Sequence, residues 1–128
     1  MSAGSVSKIH LVLSLKGKAR ISLELKRHLA PKTVGAILRA LPLEGNAHMM
    51  STSFAFVDTS LTAGGEKLKT QFKKGDVTFM ASNGSICFFL EDTTSTKPMT
   101  LVGRINSDLA ELNTIKPGDI FLVSQDGT

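Results

Sequence analysis

"GDVTFMASNGSICFFL", residues 75–90, contains the clearest structural signal in this chain of 128 residues. Two largely apolar segments, residues 77–82 and 85–90, flank the dipeptide Asn83-Gly84. This dipeptide favours a two-residue type I′ hairpin turn, because both turn positions need a positive φ. The second arm contains ICFFL, which is apolar throughout, so we expect a strand that is covered on both of its faces.

A second hairpin is predicted near the N-terminus. Residues 9–15 (IHLVLSL) place apolar side chains at every second position, and residues 19–25 (ARISLEL) repeat the pattern after a turn at Gly17. This period of two is typical of strands that bury one face. The two segments therefore predict an antiparallel pair of strands.

The period changes after this hairpin. Pro31 stands where a first helical residue is often found, and apolar residues follow at helical spacing until Pro42. These apolar residues are Val34, Ile37, Leu38 and Leu41. We therefore predict one helix that ends at Pro42.

The remaining segments predict further short elements. The stretch 48–57 is interpreted as one or two strands, residues 93–97 as a loop, and residues 100–105 and 120–124 as strands. Ser107 is a candidate N-cap for a short helix before the last strand. The apolar residues of that helix are Leu109, Leu112 and Ile115.

Together these elements predict a mainly β fold. Closing the sheet into a β-barrel of about eight strands would remove the exposed strand edges, and the two short helices would cap the barrel. The length suits one domain, and we find no internal repeat or linker. We expect that domain to span residues 8–125, after a flexible tail at residues 1–7.

Composition narrows the class of protein. No apolar run approaches the roughly 20 residues that a membrane helix needs, so no membrane partner is expected. The first residues lack the apolar stretch of a signal peptide. The single cysteine, Cys87, excludes an internal disulfide and suits a reducing compartment, so we expect a cytoplasmic protein.

The basic residues do not favour nucleic acid as a partner. The formal charge is +4, and the densest lysine cluster is interpreted first as a solvated loop. Binding of single strands needs exposed stacking aromatics between basic residues, and the chain has no Trp or Tyr. The cluster consists of Lys67, Lys69, Lys73 and Lys74.

Several motifs resemble those of the cyclophilins, in the same order along the chain. "APKTVGAILRAL" (30–41) resembles the PKT-x-x-N-F-x-x-L helix, and "STSFAFV" (51–57) the S-x-F-H-R-V strand. "GGE" (64–66) is similar to the following Gly-Gly-Asp, and residues 75–90 to the G-x-x-x-M-A-N…N-G-S-Q-F-F-I hairpin. "LVGRINSDLAELNTI" (101–115) resembles F-G-K-V-x-x-G-x-x-V-x-x-I. The resemblance implies a closed cyclophilin-like β-barrel, of the small atypical kind found in prokaryotes.

The departures fall on the positions that the resemblance implies for catalysis. In cyclophilins an arginine donates to the prolyl nitrogen while the amide twists, which helps to lower a barrier of roughly 18–20 kcal/mol. Phe56 stands at that position and donates nothing. The proline-pocket tryptophan has no counterpart, because the chain lacks Trp. Two further family histidines are matched by Ala55 and Met99, a glutamine by Ala63, a phenylalanine by Leu61 and an asparagine by Ser82.

These departures argue against efficient prolyl isomerisation. Loss of one preorganised donor costs about 10²–10³ in rate, and several are missing together. We therefore predict no catalytic residue. A rearranged site with Arg104 or Arg39 as the donor stays open as an alternative, although Arg39 lies where cyclophilins carry a helix-end arginine.

The same positions predict an apolar groove on the outside of the barrel. A groove without reactive groups would serve as a binding surface. Its candidate lining residues are Phe56, Leu61, Ala63, Met80, Ser82, Phe89 and Met99. The alternative, weighed equally, is that the segment 60–74 simply covers Phe56.

Metal and cofactor sites are not predicted. His48, Met49 and Met50 could suggest a soft metal, but adjacent residues of a strand point to opposite faces, so His48 pairs only with Met50. Cys87 stands in an apolar strand and is interpreted as a buried, inert thiol. We expect no metal and no cofactor.

Three functional hypotheses remain from the sequence. The leading one is a non-catalytic binder of a peptide segment or small apolar ligand in the groove. A second is a weak or atypical peptidyl-prolyl cis-trans isomerase. A third is an interaction subunit of a larger assembly, including a homo-oligomer, in which the groove is a subunit interface.

Overall fold

The described residues, 8–17 and 19–125 of a computed structural model, form nine β-strands and one α-helix. The predicted tail at residues 1–7 lies outside this part of the chain. The strands are β1 (Lys8–Leu15), β2 (Ala19–Lys26), β3 (Leu43–Met50), β4 (Phe54–Asp58), β5 (Lys69–Phe72), β6 (Asp76–Met80), β7 (Ser85–Phe89), β8 (Thr93–Ile105) and β9 (Ile120–Gln125). The helix is α1 (Pro31–Ala40), and two short 3-10 helices span Arg27–Leu29 and Leu109–Thr114.

Eight of these strands close into a ring. Their order is β2-β1-β9-β3-β4-β7-β6-β8, and β8 pairs back onto β2 through Leu23 and Ile105. A glycine is required at this closure, because a Cβ on Gly103 would collide with the carbonyl oxygen of Glu24. The predicted mainly β barrel of about eight strands with two short helices is therefore confirmed.

The strand β5 lies outside the ring. Among the described strands it pairs with the first part of β8, from Lys69 opposite Met99 to Phe72 opposite Thr93, with an irregular register between these pairs. Residues 93–97, predicted as a loop, belong to β8 instead, so that prediction was wrong. Pairing with β5 is the reason, since the isolated segment carries no apolar alternation. We call β5 and residues 93–99 of β8 the ribbon.

The alternating strands separate two apolar layers. Leu11, Leu13, Leu23, Phe79, Phe88 and Phe121 belong to the cluster inside the ring. A second cluster lies on the outer face of β4, β6, β7 and β8, and consists of Phe54, Phe72, Met80, Cys87, Phe89 and Met99. Every residue of β7 is buried, which confirms that this strand is covered on both faces.

The helix α1 follows the first hairpin as predicted. Pro31 is its first residue, and Val34 and Ile37 pack into the inner cluster. The N-cap Ala30 has no side-chain acceptor. Glu66 takes that role from a distant segment, because its Oε1 accepts hydrogen bonds from the Thr33 amide (2.6 Å) and hydroxyl (2.9 Å).

The second predicted helix is a 3-10 helix with a different cap. Asp108 Oδ1 accepts from the Ala110 amide at 2.9 Å, whereas Ser107 Oγ accepts from the Ser22 amide of β2. The N-cap prediction for Ser107 was therefore wrong, since that hydroxyl faces a neighbouring strand. Leu112 is the buried residue of this helix.

The hairpin of residues 75–90 is present, but its turn differs from the prediction. Residues 81–84 form a four-residue loop, in which the Gly84 amide donates to the Met80 carbonyl at 2.9 Å. Within this loop only Gly84 has a positive φ, of 71°, so a type I′ turn at Asn83-Gly84 is excluded. The chain approaches closely here, because a Cβ on Gly84 would lie 2.6 Å from the Leu61 carbonyl oxygen.

Candidate functional site

The candidate site lies on the outer aromatic layer of the barrel. Strand alternation directs Phe54 and Phe56 outward from β4, while Ala55 and Val57 point into the ring. Phe54 packs against Phe89 of β7 with ring centroids 4.9 Å apart. The strands of the ring thus form an apolar floor beneath anything that lies on this face.

The ribbon covers one part of this floor and leaves another part open. Phe72 of β5 is 4% exposed and stacks on Phe89, with ring centroids 4.8 Å apart. Beside this contact a cavity of about 260 Å³ remains. Its apolar lining residues are Met50, Phe54, Phe56, Met80 and Met99. Its polar rim includes residues 93–97 of the ribbon.

Phe56 is half-buried at the wall of this cavity. Its ring stacks on His48 of β3, with centroids 5.2 Å apart and planes 27° apart. His48 Nε2 lies 3.8 Å from Asp58 Oδ2, and the other oxygen of Asp58 accepts a hydrogen bond from Ser85 Oγ at 2.6 Å. Phe56 is therefore held in place from the side away from the cavity.

Four of the sequence-predicted groove residues meet at this site. Phe56, Met80 and Met99 line the cavity together, and Phe89 lies fully buried in the same outer cluster. From the segment 60–74, Phe72 lies on Phe89, and no described residue of that segment lines the cavity beside Phe56.

The other three predicted groove residues lie elsewhere. Leu61 and Ala63 are partly buried against the inner cluster, on a different layer from Phe56. Ser82 is exposed in the loop between β6 and β7. None of these three lines the cavity beside Phe56 among the residues that the structure describes.

Sequence reasoning missed the contribution of the ribbon and of Met50. Met50 is 50% exposed at the edge of the cavity. Because residues 93–97 were predicted as a loop, they were not predicted to form the rim of the cavity. The run Thr93 to Thr96 is rich in β-branched residues, which is the signal that could have indicated a strand.

The two candidate replacement arginines are placed away from this cavity. Arg104 Nη1 lies 3.6 Å from the buried Asp76 carboxylate, and Nη2 donates to the Lys74 carbonyl at 3.2 Å. Arg39 lies in the last turn of α1. Within the described residues, Lys97 is the one charged side chain that lines the cavity.

The thiol of Cys87 lies buried within the outer cluster. Burial raises its pKa to about 12, and the charge of Asp58 acts in the same direction. A thiol that stays protonated at neutral pH is a poor nucleophile and a poor metal ligand. The described residues also contain no group of three or more His, Cys, Asp or Glu side chains that could hold a metal ion.

No helix in the described part of the chain is long and apolar enough to cross a membrane.

Comparison of the structure with solved structures shows which folds it resembles. A solution structure of the hypothetical protein AF2241 from Archaeoglobus fulgidus matches with a TM-score of 0.77 and 23% identity, over 94% of this chain and 96% of that one. The mimivirus cyclophilin matches with a TM-score of 0.56 and 10% identity, over 92% of this chain and 86% of the viral one.

McbB, whose structure was determined in complex with tryptophan, matches with a TM-score of 0.79 and 11% identity. The match covers 92% of this chain but 45% of McbB, so this chain corresponds to less than half of that protein. At these identities the three structures establish a common fold.

No match was found among curated proteins. The family model described as cyclophilin-like matches residues 7–124, which is nearly the whole chain. The barrel order, the helix after the first hairpin and this match agree with one another. The chain belongs to the cyclophilin-like family.

Proposed function

We propose that this protein binds a peptide segment through one apolar side chain, which enters the cavity beside Phe56, and that it does so without efficient prolyl isomerisation. The observation that carries the proposal is the cavity of about 260 Å³ on the outer face, lined by Phe56, Met80 and Met99. The ring strands and the stacked His48 support its shape before any ligand arrives.

The size of the cavity favours a side chain over a larger ligand. Pockets for drug-sized molecules span about 300–1,000 Å³, so a cavity just below that range suits one apolar side chain. Burial of such a side chain contributes about 1.5–3 kcal/mol. The methionines are unbranched and polarisable, so Met50, Met80 and Met99 can adapt to different apolar groups.

The charged residues at the site support the proposal that prolyl isomerisation is not efficient. Isomerisation requires a donor that is fixed beside the prolyl nitrogen as the amide twists. Among the described lining residues, the charged candidate is Lys97, which is exposed on the ribbon and forms no ion pair with another described residue. Phe56 lies in the cavity wall, at the position that the resemblance matches to the arginine of cyclophilins, and it offers an apolar surface instead of a donor.

Fluorescence anisotropy with a short labelled peptide tests this proposal. The peptide carries one central phenylalanine between glycines and glutamines, and a control peptide replaces the phenylalanine with glycine. We expect saturable binding of the phenylalanine peptide, and an affinity about tenfold lower for Phe56→Ser, because part of the buried apolar area is lost.

Leu122→Ser is the matched control variant. Leu122 is an apolar residue of β9 that is 37% exposed and lies outside the cavity. Its substitution should leave the affinity unchanged. Equal affinity of both peptides, or equal losses in the two variants, would contradict the proposal.

A further inference from the structure

The ribbon lies between two cavities that differ in the number of charged side chains lining them. The apolar cavity beside Phe56 lies on one side, and an open cleft of about 810 Å³ lies on the other. Thr93 and Thr94 line both, so the two cavities are adjacent across these residues. The cationic side chains that line the open cleft are Lys69, Lys73 and Arg104.

Some of the charge in the cleft is compensated within the protein. Arg104 pairs with Asp76, whose other carboxylate oxygen accepts from the Lys73 amide at 2.8 Å. The carboxylate of Asp92 also lines the cleft, and its Oδ1 accepts a hydrogen bond from the Lys74 amide at 2.9 Å.

Three ammonium groups of the ribbon region have no ion-pair partner among the described residues. Lys69, Lys73 and Lys97 are exposed, and none of them forms an ion pair with another described residue. Lys69 Nζ lies 5.7 Å from the centroid of the Phe72 ring, which places it above the aromatic that covers Phe89. Lys97 lines the apolar cavity itself. Positive charge therefore lies at the apolar cavity, on Lys97, and in the adjacent cleft, on Lys69 and Lys73, in a chain whose net charge is +4.

We infer that the partner is an acidic peptide segment in an extended conformation, with carboxylates that flank its apolar side chain. The apolar side chain enters the cavity beside Phe56, and the flanking carboxylates lie against Lys69, Lys73 and Lys97. An extended chain advances about 3.3 Å per residue, so neighbouring residues of one short segment cross from the cavity to the cleft over Thr93 and Thr94. This inference rests on the proposed function and adds the charge of the ligand to it.

Nucleic acid fits the same lysines less well. Single strands bind through bases that stack on exposed aromatic rings. Phe54 and Phe72 are each 4% exposed, and the half-buried Phe56 already has one face stacked on His48. The open apolar surface is a recess for one side chain and not a platform for successive bases.

Anisotropy titrations of the full chain test the charge of the partner. Two short labelled peptides share a central phenylalanine, which glutamates flank in one and glutamines in the other. We expect the glutamate peptide to bind about tenfold more tightly at low salt, and this advantage to shrink at about 1 M salt.

Charge-reversal variants locate the effect. Lys69→Glu combined with Lys73→Glu should abolish the advantage of the glutamate peptide over the glutamine peptide. Lys8→Glu combined with Lys116→Glu changes the net charge equally at exposed positions outside both cavities and should preserve the advantage.

The outcomes separate the two proposals. If both peptides bind equally, or if the two double variants lose the advantage alike, the acidic partner is wrong while the apolar binding function stands. If neither peptide binds, the proposed function itself fails. If a poly-dT oligonucleotide binds through Lys69 and Lys73 more tightly than the glutamate peptide, the partner is a nucleic acid and the inference is overturned.

Discussion

Phe72 stacks face to face on Phe89, with ring centroids 4.8 Å apart and planes 27° apart. The first residue belongs to a strand outside the ring, and the second to a strand of the barrel wall. Through this contact the protein covers part of its outer apolar face with its own side chain. The cavity beside Phe56 is a part of that face that remains uncovered.

Substitution of Phe72 should therefore affect stability and binding together. We expect Phe72→Ala to lower the free energy of unfolding by about 3 kcal/mol, because a buried aromatic is removed from the outer cluster. Uncovering Phe89 should also enlarge the cavity and raise the affinity for a peptide with a central tryptophan relative to phenylalanine. Urea denaturation and peptide anisotropy measure the two effects. An unchanged ratio of affinities would show that Phe72 does not limit the cavity.

The interaction between Glu66 and Thr33 predicts a pH dependence. The Thr33 amide holds the pKa of the Glu66 carboxyl below its ordinary value. A lowered pKa in the folded state stabilises the protein above the pKa of unfolded glutamate, about 4.3, and that stabilisation is lost as the pH falls through the folded pKa. Glu66→Gln should reduce the slope of thermal stability against pH in this acidic range. The same slope in Glu66→Gln as in the native protein would contradict this role, and Glu24→Gln serves as the control.

The thiol of Cys87 should be unreactive in the folded protein. Burial raises its pKa to about 12, so the nucleophilic thiolate is scarce near pH 8. We expect a thiol reagent such as dithionitrobenzoate to label it only after denaturation. Ser82→Cys adds an exposed thiol in the loop after β6 and should react at once in the native state. Rapid labelling of the native protein without that substitution would show that the outer layer opens.

Arg104 should matter for stability and not for catalysis. Its ion pair with the buried Asp76 is partly screened, since the arginine side chain is 42% exposed, so Arg104→Ala should lower the free energy of unfolding by about 1 kcal/mol. In an assay with a proline peptide, we expect isomerisation near the uncatalysed rate before and after this substitution. A measurable activity that Arg104→Ala abolishes would establish a rearranged isomerase site instead.

The sequence predicted those parts of the fold that depend on local periodicity. The alternation in residues 9–25, the helix after Pro31 and the fully apolar β7 were each sufficient to predict the element. The β6–β7 turn was predicted wrongly because the close approach of Leu61 to Gly84 is a long-range contact. The long β8 was missed for a similar reason, since its first half is a strand through pairing with β5.

The candidate site was predictable to a similar extent. Outward placement of Phe56 and Met80 followed from alternation and from the resemblance to cyclophilins. The rim of the cavity and the covering of Phe89 by Phe72 depend on how the ribbon folds back. No local pattern in residues 60–74 specifies that path.

The methionine methyl groups provide the most direct test of the binding site. Met50, Met80 and Met99 line the cavity, whereas the neighbouring Met49 packs against the inner cluster and serves as an internal control. We would label the methionine methyls with carbon-13 and titrate the protein with the phenylalanine peptide. Binding beside Phe56 predicts saturable shifts of the Met50, Met80 and Met99 signals with Met49 unchanged. Saturable binding that leaves all three cavity methyls unmoved would contradict it.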